Sequence, residues 1–229
     1  MLFRSGISLR LGRKLPSINY KVSTGEDKIV EYWSSKIKTK AWKKTDFSPN
    51  EEIAKLKWLS VEDAAEKLTY PHDRELLQEV ATRHRKSELE TRALILLRHA
   101  KATPRNEWSG AEAKRPLLPE GKQQAKRLVR LLSAYGPKRL ITSPWARCEQ
   151  TILPYAKATN QTVIYRSQLT ELTNALSPRK TISVVEDLFE SKKSALICSH
   201  RPALPTILKT LASRSTSEVR DSLVSSVDL

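Results

Sequence analysis

Cysteines and long apolar runs are both scarce in this sequence. The 229 residues include two cysteines, Cys148 and Cys198, and no Cys-x-x-Cys spacing. This excludes a disulfide framework and indicates neither a structural zinc site nor a secreted protein. The longest apolar runs, residues 93–97 and 194–198, are strand-sized, far short of the roughly 20 residues that span a bilayer. We therefore expect a soluble, cytoplasmic protein with no membrane partner.

Acidic residues are also few relative to basic ones. Lys and Arg total 41 against 25 Asp and Glu, which gives a formal net charge of +16. An excess of this size favours polyanionic partners through long-range attraction. Charge alone does not choose among a nucleotide, a nucleic acid and a membrane surface. The sequence has no internal repeat or low-complexity tract, and its length suits one large domain or two small ones.

The first 92 residues carry signals for short strands followed by helices. Residues 1–14 hold four basic residues and no acid, which resembles the composition of a transit peptide, but alternating apolar and polar residues favour a strand there. Ser60 is expected to cap a helix, with acids in its first turn. Strands are predicted over 7–11, 18–22 and 29–34, helices over 61–67 and 73–85, and a polar linker over 86–92.

After residue 92 the pattern changes to apolar strands that alternate with amphipathic helices. This succession is typical of a parallel sheet covered by helices on both faces. The fold class predicted for this part is therefore α/β, a three-layer α/β/α sandwich. Strands are predicted over 93–97, 139–142, 162–165 and 195–198, and helices over 120–135, 145–158, 178–190 and from 202 onward.

Polar side chains follow three of the predicted strands. Arg98 and His99 end the first, Arg147 comes shortly after the second, and His200 and Arg201 end the last. In doubly wound folds, ligands bind where strands end and loops begin. We therefore expect two imidazoles and up to three guanidiniums to meet at one edge of the sheet.

This set of side chains suits phosphoryl chemistry. Planar guanidiniums bind phosphate oxygens with paired donors, so Arg98 and Arg147 are candidate phosphate ligands. A neutral imidazole accepts a phosphoryl group covalently, which makes His99 the candidate nucleophile. His200 is expected to donate to the developing charge, either as a cation or in the suitable tautomer. Glu171 is the candidate acid for the leaving oxygen.

A histidine after a strand is more often structural than catalytic, and an Arg-His pair alone is weak evidence. The chain has a second copy, Arg83-His84, near the end of a polar helix, where solvent exposure is the natural interpretation. The joint arrangement of residues at three strand ends is what favours catalysis.

These motifs resemble the histidine phosphatase superfamily over roughly residues 94–211. The resemblance rests on Leu-Arg-His-Ala-Lys at 97–101, Arg-Pro-Leu at 115–117, the stretch 142–151, and Ser-His at 199–200. The Arg-His-Ala-Lys form is more similar to the compact SixA type than to the phosphoglycerate mutases. The resemblance implies an α/β/α sandwich, a phosphohistidine intermediate, and neither metal nor other cofactor.

Carried over by position, the resemblance makes His99 the nucleophile and places Arg98, Arg147 and His200 in the phosphate pocket. Arg115 and Lys101 are expected to assist in binding phosphate. Glu171 stays the candidate acid, although SixA-type members often lack the usual acid.

Residues 1–85 resemble the second half of a MutT-type Nudix domain, as in actinobacterial proteins where such a domain precedes a histidine phosphatase. The resemblance is carried by residues 11–15, 32–33, 47–52, 57–59 and 68–74. The chain lacks the acidic Nudix box that holds magnesium, and Glu51 and Glu52 cannot replace it.

The resulting expectation is a partial Nudix-like α+β domain over 1–85, a linker over 86–92 and a histidine phosphatase domain over 93–229. Nudix pyrophosphohydrolase activity is not expected from this chain, unless the native start lies upstream of it. The tail 217–229 lacks the further strand that the family usually adds.

Two functions are compatible with these residues and motifs. The first is a metal-independent phosphohydrolase acting on an anionic phosphorylated substrate, either a nucleoside di- or polyphosphate or protein phosphohistidine. The alternative is an impaired remnant that binds nucleotides or nucleic acid, with Trp42 in the basic stretch 36–44 as a contact. A solvated loop is the preferred interpretation of that stretch, so nucleic acid is not the favoured partner. The sequence does not predict an oligomeric state.

Overall fold

The computed structural model describes residue 7 and residues 9–37, 47–49, 51, 53–216 and 220. The chain divides into two compact units, Met1–Thr91 and Arg92–Leu229. Most of the basic stretch 36–44, including Trp42, lies outside the described residues, as do Glu52 and nearly all of the tail 217–229. Within the part of the chain that the structure describes, no helix is long and apolar enough to cross a bilayer.

The first unit contains an antiparallel hairpin of β1 (Lys14–Lys21) and β2 (Asp27–Trp33). Its turn uses Gly25, whose φ of +86° favours glycine. The predicted strands over 18–22 and 29–34 are confirmed as parts of this hairpin. The predicted strand over 7–11 is wrong for its described residues, because they pair with no described neighbouring strand.

Among the described residues of this unit, the hairpin is followed by α1 (Val61–Lys67) and α2 (Pro71–Arg85). The Ser60 hydroxyl accepts a hydrogen bond from the Asp63 backbone N–H at 3.0 Å, so the predicted cap is confirmed. Pro71 lies in the first turn of α2, where its missing N–H costs no intrahelical hydrogen bond.

The second unit is built on a four-stranded sheet in which every neighbouring pair is parallel. All four carboxyl ends therefore lie at the same edge. This confirms the predicted parallel sheet. In the order β3-β6-β4-β5, the strands are β3 (Leu94–Arg98), β6 (Ala195–Ser199), β4 (Arg139–Thr142) and β5 (Val163–Tyr165).

Helices and short 3₁₀ turns fill the connections between the strands. The longest helix ends at Gly136, whose φ of 57° provides the left-handed cap. Over residues 92–216, the α-helices are α3 (Pro119–Tyr135), α4 (Ala146–Thr159), α5 (Glu171–Leu176), α6 (Pro178–Glu190) and α7 (Leu204–Ser213). The 3₁₀ turns are Arg105–Glu107, Glu112–Lys114, Ser167–Leu169 and Arg201–Ala203.

The core lies in two layers, one on each face of the sheet. Successive side chains of a strand point to opposite faces. In β6, Leu196 and Cys198 pack with residues of α3 and α4, whereas Ala195 and Ile197 pack with residues of α6 and α7. The predicted three-layer α/β/α sandwich is thereby confirmed for this unit.

Candidate active site

His99 lies directly after β3 at the carboxyl edge of the sheet. Its backbone N–H donates to the Ser199 carbonyl at 3.0 Å, which continues the pairing of β3 with β6. Its Nδ1 lies 2.8 Å from the Ala100 carbonyl. A carbonyl only accepts, so Nδ1 carries the hydrogen and the lone pair of the neutral ring is on Nε2.

The surroundings of His99 keep its ring neutral. Burial is the main cause that lowers the pKa of His99 to about 4, together with the charges of Arg147, Arg98 and Arg115 and against the opposing hydrogen bond to Ala100. A neutral ring near pH 7 is the form with a nucleophilic nitrogen. The geometry and the electrostatics of His99 therefore both suit attack on an electrophile.

His200 is completely buried beside His99. Their ring centroids are 5.4 Å apart in an edge-to-face arrangement. The His200 Nε2 lies 2.8 Å from the Ser143 hydroxyl, and its Nδ1 lies 3.4 Å from Glu171 Oε1. Burial lowers the pKa of His200 to about 2, assisted by the charge of Arg147. Of the two forms considered for His200, the free protein therefore favours the neutral tautomer.

Arg147 stands in the first turn of α4 and is completely buried. Its Nη2 donates to Glu171 Oε1 at 2.8 Å and lies 3.1 Å from Glu112 Oε1, while its Nη1 donates to the Glu112 carbonyl at 3.1 Å. Its Nε has no hydrogen-bond partner among the described residues. A buried cation with an unpaired donor is suited to an anionic ligand.

Glu171 begins α5 and connects the arginines to His200. One carboxylate oxygen accepts from Arg147, and the other accepts from Nη2 of Arg105. The structure thus brings Glu171 beside both His200 and a candidate phosphate ligand. In the free protein, however, both of its oxygens are bound to guanidiniums.

Arg115 faces Glu112 and the backbone. Its Nε and Nη2 donate to the two Glu112 carboxylate oxygens at 3.0 and 2.8 Å, and its Nη1 donates to the Thr103 carbonyl at 2.6 Å. Arg115 is buried and close enough to lower the pKa values of His99 and His200. Its main contacts nevertheless fix the loop between β3 and α3.

Arg98 and Lys101 differ in their availability to a ligand. Arg98 is exposed, and its side chain forms no hydrogen bond or ion pair with another described residue. Lys101 is exposed and pairs with Glu120 at 2.6 Å. Arg98 therefore has its donors available, whereas Lys101 must first exchange its partner.

Sequence reasoning gave no role to Glu112, Arg105 or Thr151, which organise this edge, although Thr151 lies in the stretch 142–151 that carries the family resemblance. Thr151 Oγ1 accepts from the Ala100 N–H at 2.9 Å and donates to the Arg147 carbonyl at 2.6 Å. It thus joins the segment that follows His99 to the helix of Arg147. For Glu112, a signal was present, since it precedes Arg115 by three residues on a short turn.

The same site contains a set of possible metal ligands. His99, Glu171 and His200 each offer one ligand atom, and these atoms lie within 4.8 Å of one another. Two imidazoles and a carboxylate form a common transition-metal donor set. Arg105, Arg115 and Arg147 add positive charge here, which opposes a cation and favours an anion.

Residues 94–176 match the histidine phosphatase superfamily, branch 1. The matched segment contains His99, Arg147 and Glu171 at the site just described. Residues 94–176 belong to a histidine phosphatase superfamily domain. This confirms the family resemblance for that segment of the chain. The resemblance of residues 1–85 to a Nudix domain stays a prediction.

One relative extends the similarity beyond the histidine phosphatase domain. An 8-oxo-(d)GTP phosphatase of Mycolicibacterium smegmatis is 32% identical to this chain over 211 residues. The aligned part is 92% of this chain and 62% of that protein, so the chain spans less than two thirds of the relative's length.

Solved structures also resemble the histidine phosphatase domain. The protein histidine phosphatase SixA complexed with tungstate is 21% identical, with a TM-score of 0.40, and the match covers 52% of this chain and 74% of that one. A mycobacterial glucosyl-3-phosphoglycerate phosphatase is 13% identical, with a TM-score of 0.45, and the match covers 58% and 84% of the two chains.

Proposed function

We propose that this protein is a phosphohydrolase that transfers the phosphoryl group of its substrate to His99. The observation that carries the proposal is the neutral His99 ring, oriented by the Ala100 carbonyl, next to the buried guanidinium of Arg147. The ring supplies a lone pair and the guanidinium supplies donors for phosphate oxygens. A site that only bound phosphate would not require a histidine held neutral and oriented in this way.

In the proposed reaction, Nε2 of His99 attacks phosphorus while the bond from phosphorus to the leaving oxygen breaks. Arg98 and Arg147 neutralise the charge on the remaining phosphate oxygens, and His200 donates to one of them. Glu171 protonates the leaving oxygen. Water then attacks the phosphohistidine, Glu171 takes its proton, and orthophosphate and free His99 are released.

Glu171 serves as an acid in this scheme only after it is released from the arginines that bind it. The substrate phosphate competes for Nη2 of Arg147, which holds Glu171 Oε1 in the free protein. Once displaced from Arg147, the carboxylate is available to the leaving oxygen of the substrate. Substrate binding would thereby prepare its own acid.

We propose a nucleoside di- or polyphosphate as the substrate. The support is the relative called an 8-oxo-(d)GTP phosphatase, whose similarity extends over 92% of this chain. The net charge of +16 also favours a polyanion. Protein phosphohistidine is the other candidate, and the two are separated by comparing kcat/KM on nucleotides and on a phosphohistidine protein.

We propose that the reaction needs no metal, because guanidiniums and a histidine supply charge stabilisation and the nucleophile. The test is hydrolysis of an aryl phosphate and a nucleoside diphosphate in EDTA by wild type, His99→Ala and His84→Ala. His84 belongs to the second Arg-His pair of the sequence, is exposed, and serves as the matched control. Activity should survive EDTA and the control substitution and disappear with His99→Ala. Activity retained by His99→Ala would eliminate the proposed nucleophile.

We further propose the domain division set out from the sequence, with residues 1–85 as a partial Nudix-like domain that lacks pyrophosphohydrolase activity. The support is the absence of the Nudix box from the sequence. With Mg²⁺ and a nucleoside triphosphate, His99→Ala is expected to release no pyrophosphate. Pyrophosphate release by that variant would contradict this division of functions.

A further inference from the structure

Glu112 is bound to three arginines at the pocket. Its carboxylate makes two hydrogen bonds with Arg115, at 3.0 and 2.8 Å. Its Oε1 also lies 3.1 Å from Nη2 of Arg147 and 3.3 Å from Nε of Arg105. Hydrogen bonding from Arg115 lowers the pKa of Glu112 more than any other contact does. Glu112 is therefore a fixed negative charge in a pocket suited to anions.

Glu112 and Glu171 share two of these arginines but are held differently. Both carboxylates contact Arg147 and Arg105. Glu112 alone is also bound by the two donors of Arg115, and its backbone carbonyl accepts from Nη1 of Arg147. A phosphate that competes for Arg147 therefore displaces Glu171 more readily than Glu112. Glu112 stays next to the bound phosphate.

We propose that Glu112 is a resident counter-ion of the phosphate pocket, one that weakens the binding of product orthophosphate and so promotes its release. The inference rests on the proposed function, because it assumes that phosphate binds Arg147. Glu112 acts through the arginines and is a positioning residue rather than a catalytic one. Glu112 lies in a short 3₁₀ turn of the loop between β3 and α3. This position suits the role, because its negative charge comes from a loop rather than from a strand of the sheet.

The sign of the effect separates this role from simple scaffolding. Removing a carboxylate a few ångströms from a phosphate anion removes a repulsion that corresponds to at least about tenfold in affinity at an effective dielectric constant near 20. Neutralising Glu112 should therefore tighten orthophosphate binding. If Glu112 only held the arginines in place, the same substitution would disorder Arg115 and Arg147 and weaken that binding.

The experiment compares Glu112→Gln, Glu112→Ser and Glu112→Asp with wild type. Binding of inorganic phosphate is measured by calorimetry, and product inhibition by phosphate is measured against an aryl phosphate. Glu186→Gln is the matched control, because it removes one carboxylate from an exposed ion pair with Arg214 in the same unit. Both neutral variants should bind phosphate about tenfold more tightly. Glu112→Asp and Glu186→Gln should stay within about threefold of wild type, because the first keeps the charge and the second lies in screened surroundings.

Each outcome bears on a different claim. Unchanged or weaker phosphate binding by both neutral variants, with wild type binding phosphate, overturns the role of Glu112. Tighter binding by Glu112→Asp as well would mean that shape rather than charge matters, which also overturns it. A wild type that neither binds phosphate nor hydrolyses the aryl phosphate overturns the proposed function itself. If a neutral variant is too unstable for calorimetry, the rise in Tm on adding phosphate is measured instead. We expect this rise to be larger in the variant than in wild type, and a smaller rise counts against the proposal.

Discussion

His99 and His200 titrate far below the pH at which a free imidazole does. Burial lowers the pKa of His99 to about 4 and that of His200 to about 2. In the unfolded chain both rings return to a pKa of about 6.5. Between these values the unfolded state binds more protons than the folded state. The contribution of the two neutral rings to the unfolding free energy is therefore fully present above about pH 6.5, and it is lost as the pH falls through the acid range.

These pKa values predict that acid pH lowers the unfolding free energy. Lowering the pH from about 7.5 to 5 should cost about 2 kcal/mol through His99 alone. In His99→Asn, which does not titrate, the difference in unfolding free energy between these two pH values should shrink by about that amount. Urea unfolding of wild type, His99→Asn and the exposed control His84→Asn measures the effect. A loss of pH dependence as large in His84→Asn as in His99→Asn would show that burial of His99 is not its cause.

Sequence reasoning located the side chains at strand ends, but not the contacts among them. His99 and His200 were predicted because parallel strands bring their carboxyl ends to one edge. The Glu112 carboxylate contacts Arg147, which is 35 residues away in the sequence. Glu112 lies in a loop, and no local sequence pattern predicts the path of that loop. Arg105, the second arginine that binds Glu171, was missed for the same reason, since that pair is 66 residues apart. Local periodicity predicts elements, whereas these contacts depend on tertiary packing.

At the scale of elements, α4 carries both a proposed phosphate ligand, Arg147, and Thr151, which links this helix to the segment after His99. Arg147 and Thr151 are one turn apart on this helix, and the Thr151 hydroxyl bonds to the Ala100 N–H and the Arg147 carbonyl. One buried hydroxyl therefore connects α4 directly to the segment after β3.

The substitution Thr151→Val tests the importance of this hydroxyl. Valine keeps the shape but leaves the Ala100 N–H without its acceptor, which costs about 1 to 3 kcal/mol when the donor is buried. We expect that loss in urea unfolding, together with a lower kcat/KM. Thr159→Val is the control in the same helix, because its hydroxyl donates to the Tyr155 carbonyl one turn earlier. Equal effects of the two substitutions would argue that the bond to Ala100 has no special importance.

Helix α3 approaches the loop after His99 so closely that a glycine is required. A Cβ on Gly121 would lie 2.0 Å from the Lys101 carbonyl oxygen. Gly121→Ala should therefore force α3 and the loop apart and lower the unfolding free energy by about 1 to 3 kcal/mol. Gln123→Ala, an exposed position in the same helix, should be nearly neutral. A Gly121→Ala protein as stable as wild type would contradict the close approach.

Prediction from sequence succeeded best where an element has a local start signal. Helices α1 and α6 begin where a Ser cap or a proline predicted, because these signals act within one turn. Helix α5 was not predicted, since its six residues are too few to show a helical period. Its first residue is Glu171, so the orientation of the candidate acid could not be predicted from the sequence.

For the whole molecule, the dominant property is the net charge of +16. If the charge steers a polyanionic substrate to the pocket, kcat/KM should fall as ionic strength rises towards about 0.15 M, where the Debye length is about 8 Å. The decrease should be larger for a nucleoside triphosphate than for a singly phosphorylated aryl compound. Steady-state kinetics at constant pH measures both, and equal salt dependence would exclude steering by substrate charge.

The phosphohydrolase proposal depends above all on passage of the phosphoryl group through His99. The most direct measurement is a rapid alkaline quench during turnover, followed by mass spectrometry of the peptide that contains His99. We predict one phosphoryl group on His99 in wild type, formed fast enough to support turnover, and none on that peptide in His99→Ala. Steady hydrolysis by wild type with no phosphorylated His99 under the same quench would contradict this mechanism.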